Sequence, residues 1–341
     1  MKAQRLASFA LGAAAVAAGA AFASRRAHVA DRERLRDRVV VVTGGSRGLG
    51  YALAEDLARG GARVTIAGRD AETVERARGR FDVEGLAVDA VRCDVRDRAD
   101  VEALIAHVEA HAGPVDVLVN VAGVIEVGSV WDQSLDDFRE SVDTHIFGPL
   151  YAMRAVLPSM RRRGRGQIVN VSSIGGMIGV PHLAPYSAGK FGLAGLSQAY
   201  GAELARDGIT ATLVCPGLMR TGSPDHAIFK GRTKAEYAWF TVSDSNPLIS
   251  SSTRHAVVRI VHAIARRRTF VTITPIARFA PIVNAIAPRM TNRILAPAAR
   301  LLPLPAFDQA TRRTGEESHS PVAPSILTAL DGIAKGRFNQ R

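Results

Sequence analysis

Tyr186 and Lys190 stand four residues apart in Tyr186-Ser-Ala-Gly-Lys190, and Ser173 lies thirteen positions upstream of the tyrosine in Val171-Ser-Ser-Ile-Gly-Gly. The stretch from Ala184 to about Arg206 reads as a helix, so the spacing puts phenol and ammonium on one face, one turn apart. Such a pair makes a proton donor. A phenol titrates near about 10 and is a poor base at neutral pH, whereas a cation about 4 Å away favours the phenolate. At an effective dielectric of about 20 the attraction is about 4 kcal/mol, as much as about three pKa units before burial opposes it. A tyrosine tuned in this way can pass a proton to or from a substrate oxygen. A half-buried ring beside a solvated lysine has the same spacing, so the surrounding elements must separate the two readings.

Those elements alternate. Arg38-Val-Val-Val-Val-Thr43 is a β-branched run that passes directly into Gly44-Gly-Ser-Arg-Gly48-Leu-Gly50 and then into a helical pattern through Arg59. Strand, glycine turn and helix in that order form a phosphate-binding loop: glycines allow close backbone approach, and the helix N-terminus offers amides and partial positive charge. The plainer alternative is that the glycines only let strand and helix pack. Further strand-like runs at 63–68, 87–93, 115–120, 167–172 and 209–215 are separated by helical segments. This predicts an α/β fold, a doubly wound parallel sheet covered on both faces. Ligands of such sheets bind beyond the strand carboxyl ends, where Asp94, Asn120, Ser172, Ser173 and Pro216-Gly217 fall. A helix over about 252–268 and a strand near 269–274 should complete the sheet.

Composition bounds the rest. With 341 residues, 47% apolar and 22% charged, the chain suits one large domain with appendages. The expected division is a hydrophobic N-terminal segment (1–30), a catalytic domain (37–274) with a substrate lid over about 218–250, and an amphipathic extension (275–341). The net charge of +12 comes from 44 basic and 32 acidic residues. The arginines are scattered over several elements without zinc spacing or an RNA-binding aromatic motif, so an anionic membrane surface is a better partner than nucleic acid. Cys93 and Cys215 each sit beside a strand-like run, which predicts buried thiols in a reducing compartment. No metal-ligand constellation or internal repeat is visible.

The uncharged run from Leu6 to Ser24 would span about 28 Å as a helix, close to the hydrocarbon thickness. A membrane anchor, a signal peptide cleaved after Ala21-Phe22-Ala23 and a peripheral or soluble helix are the competing readings. The heavier basic flank follows the run, so an anchored protein would keep its main domain cytoplasmic, on the inner face of the membrane.

Six motifs occur together in register: Thr43-Gly44-x-x-x-Gly48-x-Gly50, Asp94-Val95, Asn120-x-Ala122-Gly123, Ser173, Tyr186-x-x-x-Lys190 and Pro216-Gly217-x-x-x-Thr221. Over roughly residues 37–225 the chain thus resembles the short-chain dehydrogenase/reductase family. The resemblance implies a single Rossmann-type domain, usually dimeric or tetrameric, that transfers hydride reversibly between a nicotinamide cofactor and an alcohol or carbonyl. It implies that Tyr186 supplies the proton, Ser173 a second hydrogen bond, and that Lys190 tunes Tyr186 and holds the nicotinamide ribose. The implied cofactor contacts are Gly44, Ser46, Arg47, Gly48, Leu49, Gly50, Arg69, Asp94, Val95, Asn120, Ala122, Gly123, Pro216, Gly217 and Thr221, with Tyr186 and Lys190. Ser172 is the rival to Ser173, but alternation along a strand sends adjacent side chains to opposite faces. Asn120 resembles the family's strand-end asparagine, more structural than catalytic, with Val121 replacing the usual second asparagine. His145 stands where many members carry an asparagine that holds a water of the proton relay. Imidazole can also donate and accept, so it either sustains the relay or is a hydrogen-bonded packing residue.

Cofactor choice follows from charge at the end of the second strand, where a carboxylate repels a ribose 2′-phosphate and an arginine pairs with it. The chain reads Gly68-Arg69-Asp70, with Arg47 inside the glycine loop, which predicts NADP; NAD becomes the expectation if the strand ends one residue later. Ile228, Phe229, Tyr237, Trp239 and Phe240 either line an apolar pocket or pack the lid on the core. Residues 275–304 read as amphipathic, proline-broken helical pieces, and the tail after Pro305 as flexible polar chain. The leading reading is a membrane-associated, NADPH-dependent carbonyl reductase or alcohol dehydrogenase acting on a lipophilic small molecule. The alternative is a cofactor-binding sensor or scaffold of the same fold.

Overall fold

The run Val39–Thr43 forms the central strand β1 because its side chains serve two opposed cores. Val40 and Val42 join one apolar cluster, and Val39 and Val41 join the other. The computed structural model describes residues 22–247, 249–325, 328, 332, 334 and 336–340. After β1 come β2 Arg63–Gly68, β3 Val88–Arg92, β4 Val117–Asn120, β5 Glu126–Val127, β6 Gly166–Val171 and β7 Ile209–Cys215. They are followed by β8 Leu218–Arg220, β9 Ile228–Lys230, β10 Ser250–Ser252, β11 Phe270–Thr272 and β12 Arg312–Thr314.

Seven strands form one parallel sheet in the order β11-β7-β6-β4-β1-β2-β3. Helices Gly48–Arg59, Ala71–Val83 and Thr253–Ala265 cover one face, and Arg98–His111, Gly148–Arg162 and Ala184–Leu204 the other. This is the expected doubly wound sheet, closed by the helix and strand foreseen after residue 252. The connection reverses direction between β1 and β4, so a crevice opens at their carboxyl ends. There the register sets Thr43 opposite Asn120 and Asn120 opposite Asn170. Cys93 and Cys215 are both free and buried, as expected.

Above this edge, the stretch expected to be the lid holds β8, β9 and helix Thr233–Ser245; β8 pairs with β10, and β9 pairs with β5 and β12 from outside that stretch. Phe229, Tyr237 and Phe240 pack with Val127 and Leu183 into a cluster of their own, so of the two readings of the lid aromatics the packing one holds for these three. The tail after Pro305 corrects the expectation of flexible chain. It supplies β12, which pairs antiparallel with β9, and its backbone is tied down from a distance. Lys230 Nζ donates to the Gln309 carbonyl (2.9 Å), and the Asp132 carboxylate accepts from the Ala306 and Asp308 amides.

The stretch before β1 forms a helix over 22–33. Its buried Asp31 pairs with His262 (2.7 Å) on helix Thr253–Ala265 and with Arg266 (3.1 Å) at that helix's C-terminal cap, which explains why it docks. The apolar run from Leu6 lies, through residue 21, outside the described residues. Among the described residues no helix is long and apolar enough to cross a membrane. The proline-broken helices expected after residue 274 are Pro275–Ile286 and Pro288–Ala299, and they leave Phe279, Ile282, Ile286 and Ile294 exposed.

Candidate active site

A cleft of about 540 Å³ occupies the switch point. One wall is the turn between β1 and helix Gly48–Arg59. Gly44 has φ +69°, and a Cβ there would lie 2.6 Å from the Ala122 backbone; one on Gly50 would lie 2.2 Å from the Gly44 carbonyl. Neither position has room for a side chain, so the loop brings bare backbone and a helix N-terminus to the cleft. Arg47 is the helix N-cap and makes no side-chain cap; burial, with Arg69 nearby, holds its pKa below the ordinary arginine value. Such a cradle fits a dinucleotide pyrophosphate. Ser46, Leu49, Asp94, Val95, Ala122, Gly123, Pro216, Gly217 and Thr221 line the same cleft.

β2 stops at Gly68, and Asp70 is spent as the N-cap of helix Ala71–Val83, its carboxylate accepting from the Thr73 amide at 2.8 Å. Arg69 is the first residue past the strand and lines the cleft. It lies 3.7 Å from Glu140, a carboxylate that also receives Arg96 (3.3 Å) and Arg312 from the C-terminal strand β12.

Ser173, Tyr186 and Lys190 stand at the far end of the cleft. Tyr186 and Lys190 lie on helix Ala184–Leu204, with the lysine Nζ 5.7 Å from the ring centroid. Ser173 follows β6, accepts the Gly175 amide at 3.1 Å, and lines the cleft beside Tyr186, whose pKa it acts to lower. Lys190 Nζ donates to the Val171 carbonyl (2.9 Å), while the Ser172 hydroxyl turns the other way and donates to the Lys190 carbonyl (2.9 Å). Alternation therefore separates the two serines as expected.

One expectation is overturned. Burial pushes the Tyr186 phenol up to about 12, against the smaller opposing effect of the Ser173 hydrogen bond, and pushes Lys190 down to about 8. Both groups are enclosed, and the lysine is turned to a carbonyl rather than to the phenol oxygen, so desolvation outweighs the Coulomb attraction that the spacing suggests. At neutral pH the phenol is protonated.

His145 sits in a π-type turn, Asp143–Phe147, between helices Leu135–Val142 and Gly148–Arg162. Its Nε2 accepts the Val124 amide at 3.2 Å, and its Nδ1 lies 3.1 Å from the Ser141 hydroxyl. That hydroxyl gives its proton to the Pro185 carbonyl (2.7 Å), which leaves Nδ1 as the donor and Nε2 as the acceptor. Burial, reinforced by Lys190, holds the His145 pKa well below the ordinary value. The ring is a neutral tautomer with both nitrogens engaged, set edge-on to Tyr186 at 5.5 Å between centroids. Of the two readings of His145, the geometry favours the hydrogen-bonded packing residue, which ties the start of the tyrosine helix to the loop after β4.

Asn120 is the one implied cofactor residue that does not line the cleft. Its amide donates to Asn170 Oδ1 (2.8 Å), and the Asn170 amide donates in turn to Ser197 Oγ (2.9 Å) on the tyrosine helix. This buried polar chain clamps β4, β6 and the catalytic helix together. Asn170 and Ser197 were not foreseen, although an asparagine in the middle of a strand otherwise rich in apolar residues is a signal for such a clamp.

A family model described as short chain dehydrogenase matches residues 38–227. The chain belongs to that family. This dehydrogenase is 36% identical over 190 residues to the 3-oxoacyl-[acyl-carrier-protein] reductase of Mus musculus, covering 56% of this chain and 79% of the relative. A crystal structure of a gluconate 5-dehydrogenase from Burkholderia cenocepacia, in complex with NADP and tartrate, superposes with a TM-score of 0.61 at 28% identity, covering 73% of this chain and 98% of that one. A short-chain dehydrogenase/reductase from Burkholderia phymatum, in complex with NAD, shares the fold at a TM-score of 0.68 and 23% identity, covering 76% and 96%. The dehydrogenase is therefore an oxidoreductase of the CH–OH/C=O type that uses a nicotinamide dinucleotide.

Proposed function

We propose that this dehydrogenase is an NADP(H)-dependent carbonyl reductase or alcohol dehydrogenase for a lipophilic substrate, with Tyr186 as the proton donor. The observation that carries the reading is that Ser173 and Tyr186 line one end of the cleft together, with Arg69 directly past β2 at the other. The cofactor supplies the hydride. Ser173 and Tyr186 hold the substrate oxygen between two hydroxyls and favour the charge that develops there during reduction. The enclosed, protonated phenol gives its proton to that oxygen, and the Ser173 hydroxyl stabilises the phenolate left behind. Lys190, anchored on Val171, is a cation within reach of the same charge.

Arg69 supports NADP because it is the first side chain past the strand, while Asp70 is engaged as a helix cap. Ile125, Met219 and Ile228 line the cleft and support a lipophilic substrate. The exposed apolar residues of Pro275–Ile286 and Pro288–Ala299, together with exposed Arg278, Arg289, Arg293 and Arg300, support attachment to an anionic membrane on the cytoplasmic side, where NADPH is available.

The test is turnover of a panel of apolar aldehydes, ketones and alcohols with NADPH or NADH. Reduction with NADPH should fall by about 10²–10⁴-fold in Tyr186→Phe. Turnover retained in that variant would reject Tyr186 as donor. Tight NADPH binding without turnover across the panel would favour the sensor or scaffold reading.

A further inference from the structure

The cleft already has an occupant from its own chain. Residues 338–340 run across the glycine loop, and the Gly48 amide, the free N–H at the start of helix Gly48–Arg59, donates to the Phe338 carbonyl at 2.8 Å. The Asn339 side-chain amide donates to the Ser46 carbonyl (2.7 Å) and to the Thr73 carbonyl (3.2 Å), while Arg76 Nε donates to its oxygen (3.2 Å). Gln340 reaches the opposite rim, its Nε2 donating to the Thr221 carbonyl (3.2 Å) and its own carbonyl lying 3.0 Å from His226 Nε2. Asn339 and Gln340 are both buried, and Phe338 shares an apolar cluster with Leu49 and Tyr51. The segment therefore bridges the loop and the lid, across the positions where the pyrophosphate would lie.

We propose that Phe338–Gln340 is an autoinhibitory strap that occupies the phosphate-binding loop and must be displaced before the dinucleotide binds. The inference rests on the cofactor reading above. It is driven by one competition for one donor. A backbone carbonyl is a neutral acceptor, and an ionised phosphate oxygen is a stronger one for the same N–H at the same helix end. Gly48 makes the two occupants mutually exclusive at close range. A Cβ there would lie 2.7 Å from Gln340 Nε2, so the strap already takes the space that glycine leaves open. Because only the released form binds cofactor, the apparent dissociation constant is the intrinsic one divided by the released fraction. Whatever frees the C-terminus, a partner or a membrane surface, would raise cofactor affinity without touching the catalytic residues.

The experiment is a titration of the full-length protein and of an Asn339→Ala/Gln340→Ala double variant with NADPH, followed by nicotinamide fluorescence. It is repeated with inorganic pyrophosphate, which tests the loop without the cofactor reading. The strap predicts that the variant binds both probes about tenfold more tightly, since several polar contacts of the closed form are gone. Equal or weaker binding by the variant would overturn it and make the segment either a bystander or a part of the cofactor site. Hydrogen exchange of the unaltered chain gives a second reading. Amides of residues 336–340 should exchange faster when NADPH is added, and protection of these amides would also overturn the proposal. Failure of NADPH alone, with pyrophosphate binding still tightened in the variant, would reject the NADP reading and leave the strap standing.

Discussion

Glu126 is a buried carboxyl whose two oxygens meet no hydrogen-bond partner from another residue among the described residues. Burial raises its pKa from 4.5 to about 8, with Glu140 and Asp137 adding to the effect and Arg312 opposing it. Between about pH 4.5 and pH 8 the folded protein holds a proton that the unfolded chain has released, so stability falls as pH rises through that window and levels off above it. At 1.36 kcal/mol per unit, the full shift corresponds to about 5 kcal/mol, an upper bound because water or side-chain movement relieves part of the strain of burying a charge. Glu126→Gln keeps the shape and removes the titration. The variant and the parent should unfold at similar temperatures near pH 5, and at pH 9 the variant should be the more stable, by up to about 10 °C. Thermal unfolding followed by circular dichroism at the two pH values measures this directly. A gap that is the same at pH 5 and pH 9, or one that favours the parent at pH 9, would refute the reasoning.

Two further outcomes test the cofactor and membrane assignments. Arg69→Ala should weaken NADPH by about 10–100-fold, the value of a charge-assisted pair, and leave NADH nearly unchanged in parallel titrations; an equal loss for both, or a parent that prefers NADH, would remove Arg69 as the reader of the 2′-phosphate. In the full-length chain, Arg289→Glu/Arg293→Glu should cut co-sedimentation with phosphatidylserine vesicles by at least about tenfold, since each arginine near such a surface contributes about 1 kcal/mol; unchanged sedimentation would show that these helices do not face the bilayer.

Much of the site was legible because its signals are local. The four valines of β1 alternate between two cores, the glycines follow Thr43 without a gap, and a tyrosine and lysine four apart must share a helix face. The end of β2 stayed open by one residue until the structure showed Asp70 capping the next helix through the Thr73 amide. Two roles stayed open in the sequence and were separated only by packing. His145 needed the positions of Val124, Ser141 and Pro185 before its tautomer followed. Phe229, Tyr237 and Phe240 needed Val127 and Leu183 beside them before pocket and packing could be told apart.

The sequence by itself determined the sheet, the loop and the helix face that Tyr186 and Lys190 share, because strand alternation, turn chemistry and helical spacing act over a few residues. Tertiary structure alone decided the direction in which the Tyr186 pKa moves, since desolvation depends on everything packed around the phenol and overrode the one neighbour that spacing reveals. It also decided the fate of the C-terminus. A polar tail carries no periodicity, and the partners of Asn339, Ser46 and Thr73, lie more than two hundred residues earlier in the chain. Only when the sheet brings the glycine loop and the lid to one crevice do these donors and acceptors meet.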